Sequence, residues 1–518
     1  MDASSIRVTR RGVLKLGAGA AAACAVGSLS STALAQPKAG AVLRFRMYAQ
    51  PGVSPIRAGA HTPVWRFRHL LVEGPAEWLT RGPGYLGPTI RVPRGTRIIC
   101  DYTNNLAQPS NIHWHGLDVP SDQDGHPKDA VPPGGTRRYD FVVDNPAGTY
   151  WYHPHPDMLT GVQAYMGLAG LFIITDKPEA KLKLPDGACD LALVLQDRTF
   201  DATNTLVYGD PSGVVGMLGD HLVINGRAGF APAAAGGGVA PTIPLTTSLY
   251  RLRLLNGANS RIFKLAFSDG TPITVIGTDG GLLPAPVTRS YLMLSPGERA
   301  ELLLDCKTRA IGSQLVLRTL SFSPIMAGAG ALPNGTAADV ARFEVTTARA
   351  DDKVVPTTLI DNFERFLLTN AANQGSPRRF AISYQVPGSG PNCDPCWLLN
   401  GAVYDLNTVA PNEEVPADTL EVVEVDNPAS GPAMPHPIHF HGRSFQVLSR
   451  TRYGGIPTLY NNIKDGFVET GWKDTFLIWP GERVLLLVKW PSYRGLFVYH
   501  CHNLEHEDMG MMRNLRVV

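Results

Sequence analysis

Hydrophobic and polar residues alternate along 42–48 (VLRFRMY), 250–254 (YRLRL) and 420–425 (LEVVEV). A two-residue period is that of a β-strand, whose successive side chains point to opposite faces. Short apolar runs, 301–304 and 484–488 among them, have the length of strands buried on both sides. No long amphipathic helical period stands out. Turn residues punctuate these segments, with 53 glycines and 42 prolines in 518 residues, as many short strands require. The pattern predicts an all-β chain, and its length calls for several cores rather than one.

One pattern occurs twice. RIICDYTNNLAQPSNIHWHG (97–116) matches LEVVEVDNPASGPAMPHPIHFHG (420–442): a strand, an Asp/Asn turn, a variable loop, then His-x-His-Gly. Further on, TYWYHPH (149–155) matches LFVYHCH (496–502). The two copies define a first domain over 40–180 and a third over 355–518. Between them, 186–345 has strand signals (LGDHLVINGR, YRLRLLNGANSRIF) but no His-x-His, and a charged, Thr-rich stretch near 346–358 reads as a linker. Three β-sandwiches, with metal chemistry in the outer two, is the simplest organisation.

Composition changes little in this picture. Apolar residues at 44% and charged residues at 18% are those of an ordinary globular protein, and a net charge of +2 gives no reason to expect nucleic acid or an anionic membrane as partner. Residues 1–35 stand apart. Thr9-Arg10-Arg11-Gly12-Val13-Leu14-Lys15 precedes a Gly/Ala-rich apolar run and an Ala33-Leu34-Ala35 cleavage site, a pattern that resembles a twin-arginine export signal. Cleavage there would release a folded protein into the periplasm or the medium, with no stable membrane anchor, and a monomer is the expected form. Loss of Cys24 leaves Cys100, Cys189, Cys306, Cys393, Cys396 and Cys501. In an oxidising compartment Cys393-Asp-Pro-Cys396 is expected to be a small structural disulfide, since no second C-x-x-C exists to complete a zinc site.

The histidines carry the chemistry. Ten of fourteen lie in four clusters: His113 and His115; His153 and His155; His436, His439 and His441; His500, His502 and His506. On a strand each His-x-His pair puts two imidazoles on one face. In 499–502 (YHCH) the same geometry aims His500 and His502 one way and Cys501 the other, so one strand can serve two metal sites. A single His-x-His is more often a packed or surface pair; four clusters at matching places of a repeat leave that reading almost no room. The isolated His61, His69, His126 and His221 read as structural or surface residues. His436, Cys501 and His506, with Met511 as a weak axial thioether, make the ligand set of a blue-copper electron-transfer site. The other eight imidazoles are too many for one ion and suit a cluster of three. Pro154 stands where Cys501 stands in the third domain, so the first domain cannot build the thiolate site.

HWHG, YHPH, HPIHFHG and HCHNLEHEDMGMM resemble the four copper motifs of multicopper oxidases, the group of laccases and bacterial copper-efflux oxidases. The resemblance spans essentially the whole mature chain. It implies three consecutive cupredoxin-like Greek-key β-sandwich domains and four coppers per chain. A type 1 ion would take His436, Cys501 and His506, with Met511 axial; a type 2 ion His113 and His439; a type 3 pair His115, His153, His155, His441, His500 and His502. No ligand position is missing, which counts against copper-free relatives.

The family implies one-electron oxidation of a donor at the type 1 site, coupled to four-electron reduction of O₂ to water. Cys501, joined covalently to His500 and His502, links the two sites. Phenols and aromatic amines are the default donors. The alternative is a periplasmic cuprous or metal-ion oxidase for copper tolerance, which the lack of a methionine-rich insert disfavours, since the eleven methionines are dispersed apart from 509, 511 and 512. Met434, two residues before His436, is the methionine to watch for it, with loop packing as its plainer role. A copper-storage protein would show scattered ligands, and a two-domain nitrite reductase would need only one type 2 ion. Asp124 in LDVPSDQDG and Glu507 beside His506 resemble the acidic residues that relay protons in such oxidases.

Overall fold

A computed structural model describes residues 40–209, 214–386 and 396–518. The segment 1–35 expected to be an export signal, with its Cys24, and also Cys393 lie outside the described residues. The strands form three pairs of sheets in chain order, each pair enclosing a core of its own. In the first pair, Thr62–Glu73, Val42–Ser54, Arg97–Asn104 and Thr136–Val142 make one sheet; Leu79–Thr80, Thr89–Pro93, Gly170–Thr175 and Gly148–Tyr152 make the other. The third domain has two five-stranded sheets, one ordered Glu414–Val415, Met512–Val517, Gly495–Cys501, His436–Phe440, Thr475–Ile478. Helices are short; the longest α-helix among the described residues is Thr160–Met166. No helix among the described residues is long and apolar enough to cross a membrane.

The alternating segments are strands, but the two faces do not always mean core and solvent. Val42–Ser54 buries Leu43, Phe45 and Met47 and turns Arg46 outward. In Leu249–Asn256 both faces are buried. Its polar positions, Arg251 and Arg253, lie inside an ion network with Glu301, Asp190 and Glu179. The network reaches the first domain through Arg91 and the Thr149 hydroxyl. Charges so far from water persist because each is paired.

The repeat seen in the sequence is a repeat of pairing. His113 lies antiparallel to His153 in the first domain, and His439 pairs with His500 in the third. The four segments meet where these domains face each other, and the middle domain packs against both. Cys396 is disulfide-bonded, whereas Cys100, Cys189, Cys306 and Cys501 carry free, buried thiols.

Candidate metal centre

Strand pairing builds the thiolate site. His436 opens the strand His436–Phe440, and Cys501 closes Gly495–Cys501, which pairs with it through Ile438 and Cys501. His506 comes from the helix Leu504–Asp508, whose start is capped by the Asn503 side chain. Cys501 Sγ lies 3.6 Å from Nδ1 of both His436 and His506. All three are buried. The Cys501 amide donates to the Met511 carbonyl at 3.0 Å, and the Met511 amide to the His506 carbonyl at 2.9 Å. These bonds hold Met511, fully buried, beside the site. Burial raises the Cys501 thiol well above its ordinary range, so a metal binding there displaces a proton. Burial, and then His506, holds His436 far below the ordinary imidazole value, neutral and ready to ligate.

The other eight imidazoles sort themselves into three groups. His115 Nδ1 lies 3.4 Å from His153 Nε2 and 3.3 Å from His502 Nε2. His500 Nε2 lies 3.2 Å from His155 Nε2 and 3.1 Å from His441 Nε2. His113 and His439 each point a buried Nε2 at no hydrogen-bond partner. Each triad takes two histidines from one domain and the third from the other, so the repeat relates one triad to the other. Burial first, then neighbouring imidazoles, holds His115, His153, His155, His439, His441 and His502 well below the ordinary value.

The outer nitrogens are anchored, which decides what each ring offers the centre. His113 Nδ1 donates to the Asp124 carbonyl and His439 Nδ1 to the Asp474 carbonyl, both at 2.8 Å. His153 and His500 use Nδ1 on the carbonyls of Pro154 and Cys501. The repeat mates His115 and His441 differ. Asp124 Oδ2 sits 2.7 Å from His441 Nδ1, leaving Nε2 for the centre. Asp474 Oδ1 sits 3.1 Å from His115 Nε2, leaving Nδ1. A carboxylate only accepts, so it fixes the proton on the nitrogen it faces.

Asp124 is fully buried rather than in a surface turn. Glu507 is also buried, its oxygens 3.3 Å from His155 Nδ1 and 3.1 Å from His500 Nδ1. Sequence reading did not single out Asp474, which ends no motif and resembles any charge at the head of a strand. Its one signal is its place just before Thr475–Ile478, the strand that pairs with His436–Phe440, where its carbonyl accepts from the Phe440 amide. Nor did it find Trp397, whose indole packs 4.5 Å from His436 and 5.6 Å from His506, or the Val214 carbonyl that accepts from His506 Nε2 at 2.8 Å. Of the isolated histidines, His126 is buried and donates to Asn514 of the third domain. Met434 is packed in the third core.

The donors fit copper. Thiolate, imidazole and a nearby thioether are soft enough for it, and the partnerless Nε2 atoms of His113 and His439 point into buried space. A thiolate site joined through one strand to eight convergent imidazoles, on three cupredoxin-like sandwiches, defines a copper oxidoreductase.

Multicopper oxidase family models match residues 71–179, 193–317 and 373–518. Bilirubin oxidase from Albifimbria verrucaria is 33% identical over 441 residues, covering 82% of this chain and 70% of that one. A laccase from Bacillus subtilis is 29% identical over 487 residues, covering 83% and 88%. The McoA multicopper oxidase of Aquifex aeolicus is similar in structure, with a TM-score of 0.75 at 30% identity, covering 93% of this chain and 100% of that one. The chain belongs to the multicopper oxidase family and is an oxidase.

Proposed function

We propose that this oxidase takes single electrons from organic donors, phenols and aromatic amines, at the His436–Cys501–His506 site and delivers them to O₂ at the eight-imidazole site. The division of eight histidines into two triads and a pair carries the reading, because it suits three ions and no smaller number. Four coppers per chain follow: one at the thiolate site with Met511 nearby, one on His113 and His439, and one on each triad. Bound there, copper supplies one-electron transfer and the four-electron reduction of O₂ to water.

The chain's own residues supply the rest. The peptide bonds of Cys501 join the thiolate site to His500, in one triad, and His502, in the other. Making water consumes protons, and Asp124 and Glu507 are the buried carboxylates against the cluster. Asp124 faces His441 Nδ1 and Glu507 faces His155 Nδ1 and His500 Nδ1, while Asp124 Oδ1 and both Glu507 oxygens accept no well-aligned hydrogen bond and so keep lone pairs for a proton. On the donor side Trp397 walls the two imidazoles, and half-buried Tyr384 packs on it at 4.9 Å, an aromatic face suited to aromatic donors. Packing of Met434 in the core speaks against a cuprous-ion site there. The N-terminal pattern supports folded export to the periplasm.

The test is a steady-state comparison of a phenol and Cu(I) on the copper-loaded protein, with O₂ uptake recorded. Phenol turnover with one O₂ consumed per four electrons is expected. Turnover of Cu(I) alone would replace the organic donor by a metal ion. Two coppers per chain, or a variable number, would overturn the four-ion reading.

A further inference from the structure

The middle domain holds none of the candidate ligands among the described residues, yet its turn 295–299 (Ser-Pro-Gly-Glu-Arg) touches the eight-imidazole site at two points. Arg299 is fully buried, and all five of its N–H groups are used. Two go to the Asp474 carboxylate, at 2.8 and 2.5 Å. The others go to the carbonyls of Thr149 at 3.0 Å, Gly297 at 2.9 Å and Asp279 at 2.8 Å. One guanidinium thus joins all three domains and holds the carboxylate that faces His115 Nε2. The second point is Gly297, at φ 84°. A Cβ there would lie 2.9 Å from Cγ and Cδ2 of His502, so its bare backbone lies flat against that imidazole. His115 and His502 belong to the same triad. Lys473 clamps the turn from the third domain, 2.7 Å from Glu298 and 2.9 Å from Asp279.

The same Pro-Gly-Glu-Arg occurs at 480–483 in the third domain. There Arg483 is 46% exposed, 3.6 Å from Asp426. The turn itself does not require a buried arginine; the one beside the cluster has it.

We propose that the 295–299 turn is a positioning element of the trinuclear centre. Arg299 acts through Asp474 to fix which nitrogen His115 offers, and Gly297 sets the plane of His502. This rests on reading the eight imidazoles as copper ligands. Arg299 is suited to the task because its planar fork locks both carboxylate oxygens at once, which a lysine cannot do.

The test uses full-length, copper-loaded Arg299→Lys and Gly297→Ala, with Arg450→Lys as control. Arg450 sits in a separate, half-buried ion cluster with Glu469 and Glu482 that meets no candidate ligand. Copper per chain, copper retention against a chelator, the paramagnetic resonance of the cluster ions and the near-ultraviolet band of the coupled pair are measured. Blue colour reports that the thiolate site, and with it the third domain, is intact. Arg299→Lys should retain the blue colour and lose about tenfold or more in copper retention at the cluster, with altered resonance. Gly297→Ala should alter the coupled-pair band, and Arg450→Lys should lower the melting temperature while leaving both signals unchanged. Parent-like cluster signals and retention in Arg299→Lys and Gly297→Ala together would overturn the proposal. A parent protein without cluster signals would instead show that the copper reading had failed.

Discussion

His500 Nδ1 donates to the carbonyl oxygen of Cys501, the next residue in the chain, across 3.0 Å. The bond fixes the proton on Nδ1 and leaves His500 Nε2 for its triad. It also doubles the connection between the two sites, since the peptide bond and the hydrogen bond join the same two residues. Replacement of Cys501 by Ser should abolish the blue colour and the oxidation of external donors. The eight imidazoles are untouched, so cluster copper should stay. Absorption and copper analysis check this; a Cys501→Ser protein that remains blue removes the thiolate assignment.

Each triad draws on both outer domains, so neither domain expressed alone should assemble the cluster. His115 and His153 lack His502 in one case; His441 and His500 lack His155 in the other. Copper titration of each isolated domain, followed by resonance spectroscopy, is the check. A complete three-ion signal from residues 40–180 would refute the division.

Asp124 and Glu507 touch the outer nitrogens of ligand rings, not the positions where metal would sit. Asp124→Asn and Glu507→Gln should therefore keep copper content and colour. Reoxidation of the reduced enzyme by O₂ should slow by at least tenfold, within the range that general acid–base groups supply. Blue colour should then bleach during turnover. Stopped-flow mixing of reduced variants with O₂ measures it; parental rates in both variants would place the proton route elsewhere.

His126 joins the first and third domains beside this site. It accepts the Lys128 amide at Nδ1 and donates from Nε2 to Asn514, so both nitrogens are committed to the neutral ring. Burial, the dominant cause, lowers its pKa from 6.5 to about 4. Between those values the unfolded chain carries a proton that the folded one does not. The neutral ring therefore contributes stability that is present above pH 6.5 and lost as pH falls toward about 4. The full loss is about 3 kcal/mol. Melting of the copper-loaded protein across this window should fall less steeply in His126→Gln than in the parent. Equal slopes would show that His126 is not the group responsible.

Much of this protein was legible in one dimension. Residues 42–48 showed the two-residue period because a sheet face imposes it locally, whereas 420–425 is a strand buried on both faces over Glu421–Val423. The ligand types were legible because His-x-His on a strand puts two rings on one face without help from the rest of the chain. The repeat of 97–116 and 149–155 in the third domain exposed the internal pairing that brings His113 to His153 and His439 to His500.

What needed the tertiary structure was everything that depends on which domain faces which. The period of 250–254 marked a strand but did not show that Arg251 and Arg253 are buried, because their partners Asp190 and Glu301 lie on other strands. Asp474 is unremarkable in sequence and becomes the partner of His115 only when the third domain packs on the first. The choice of nitrogen at His115 and His441 is likewise invisible along the chain. The sequence by itself determined which atoms can bind metal, since that is chemistry carried by residue type and local backbone geometry. Only the packing of the domains decided which nitrogen His115 and His441 turn to the centre, because the carboxylates that fix their tautomers, Asp474 and Asp124, come from the other outer domain.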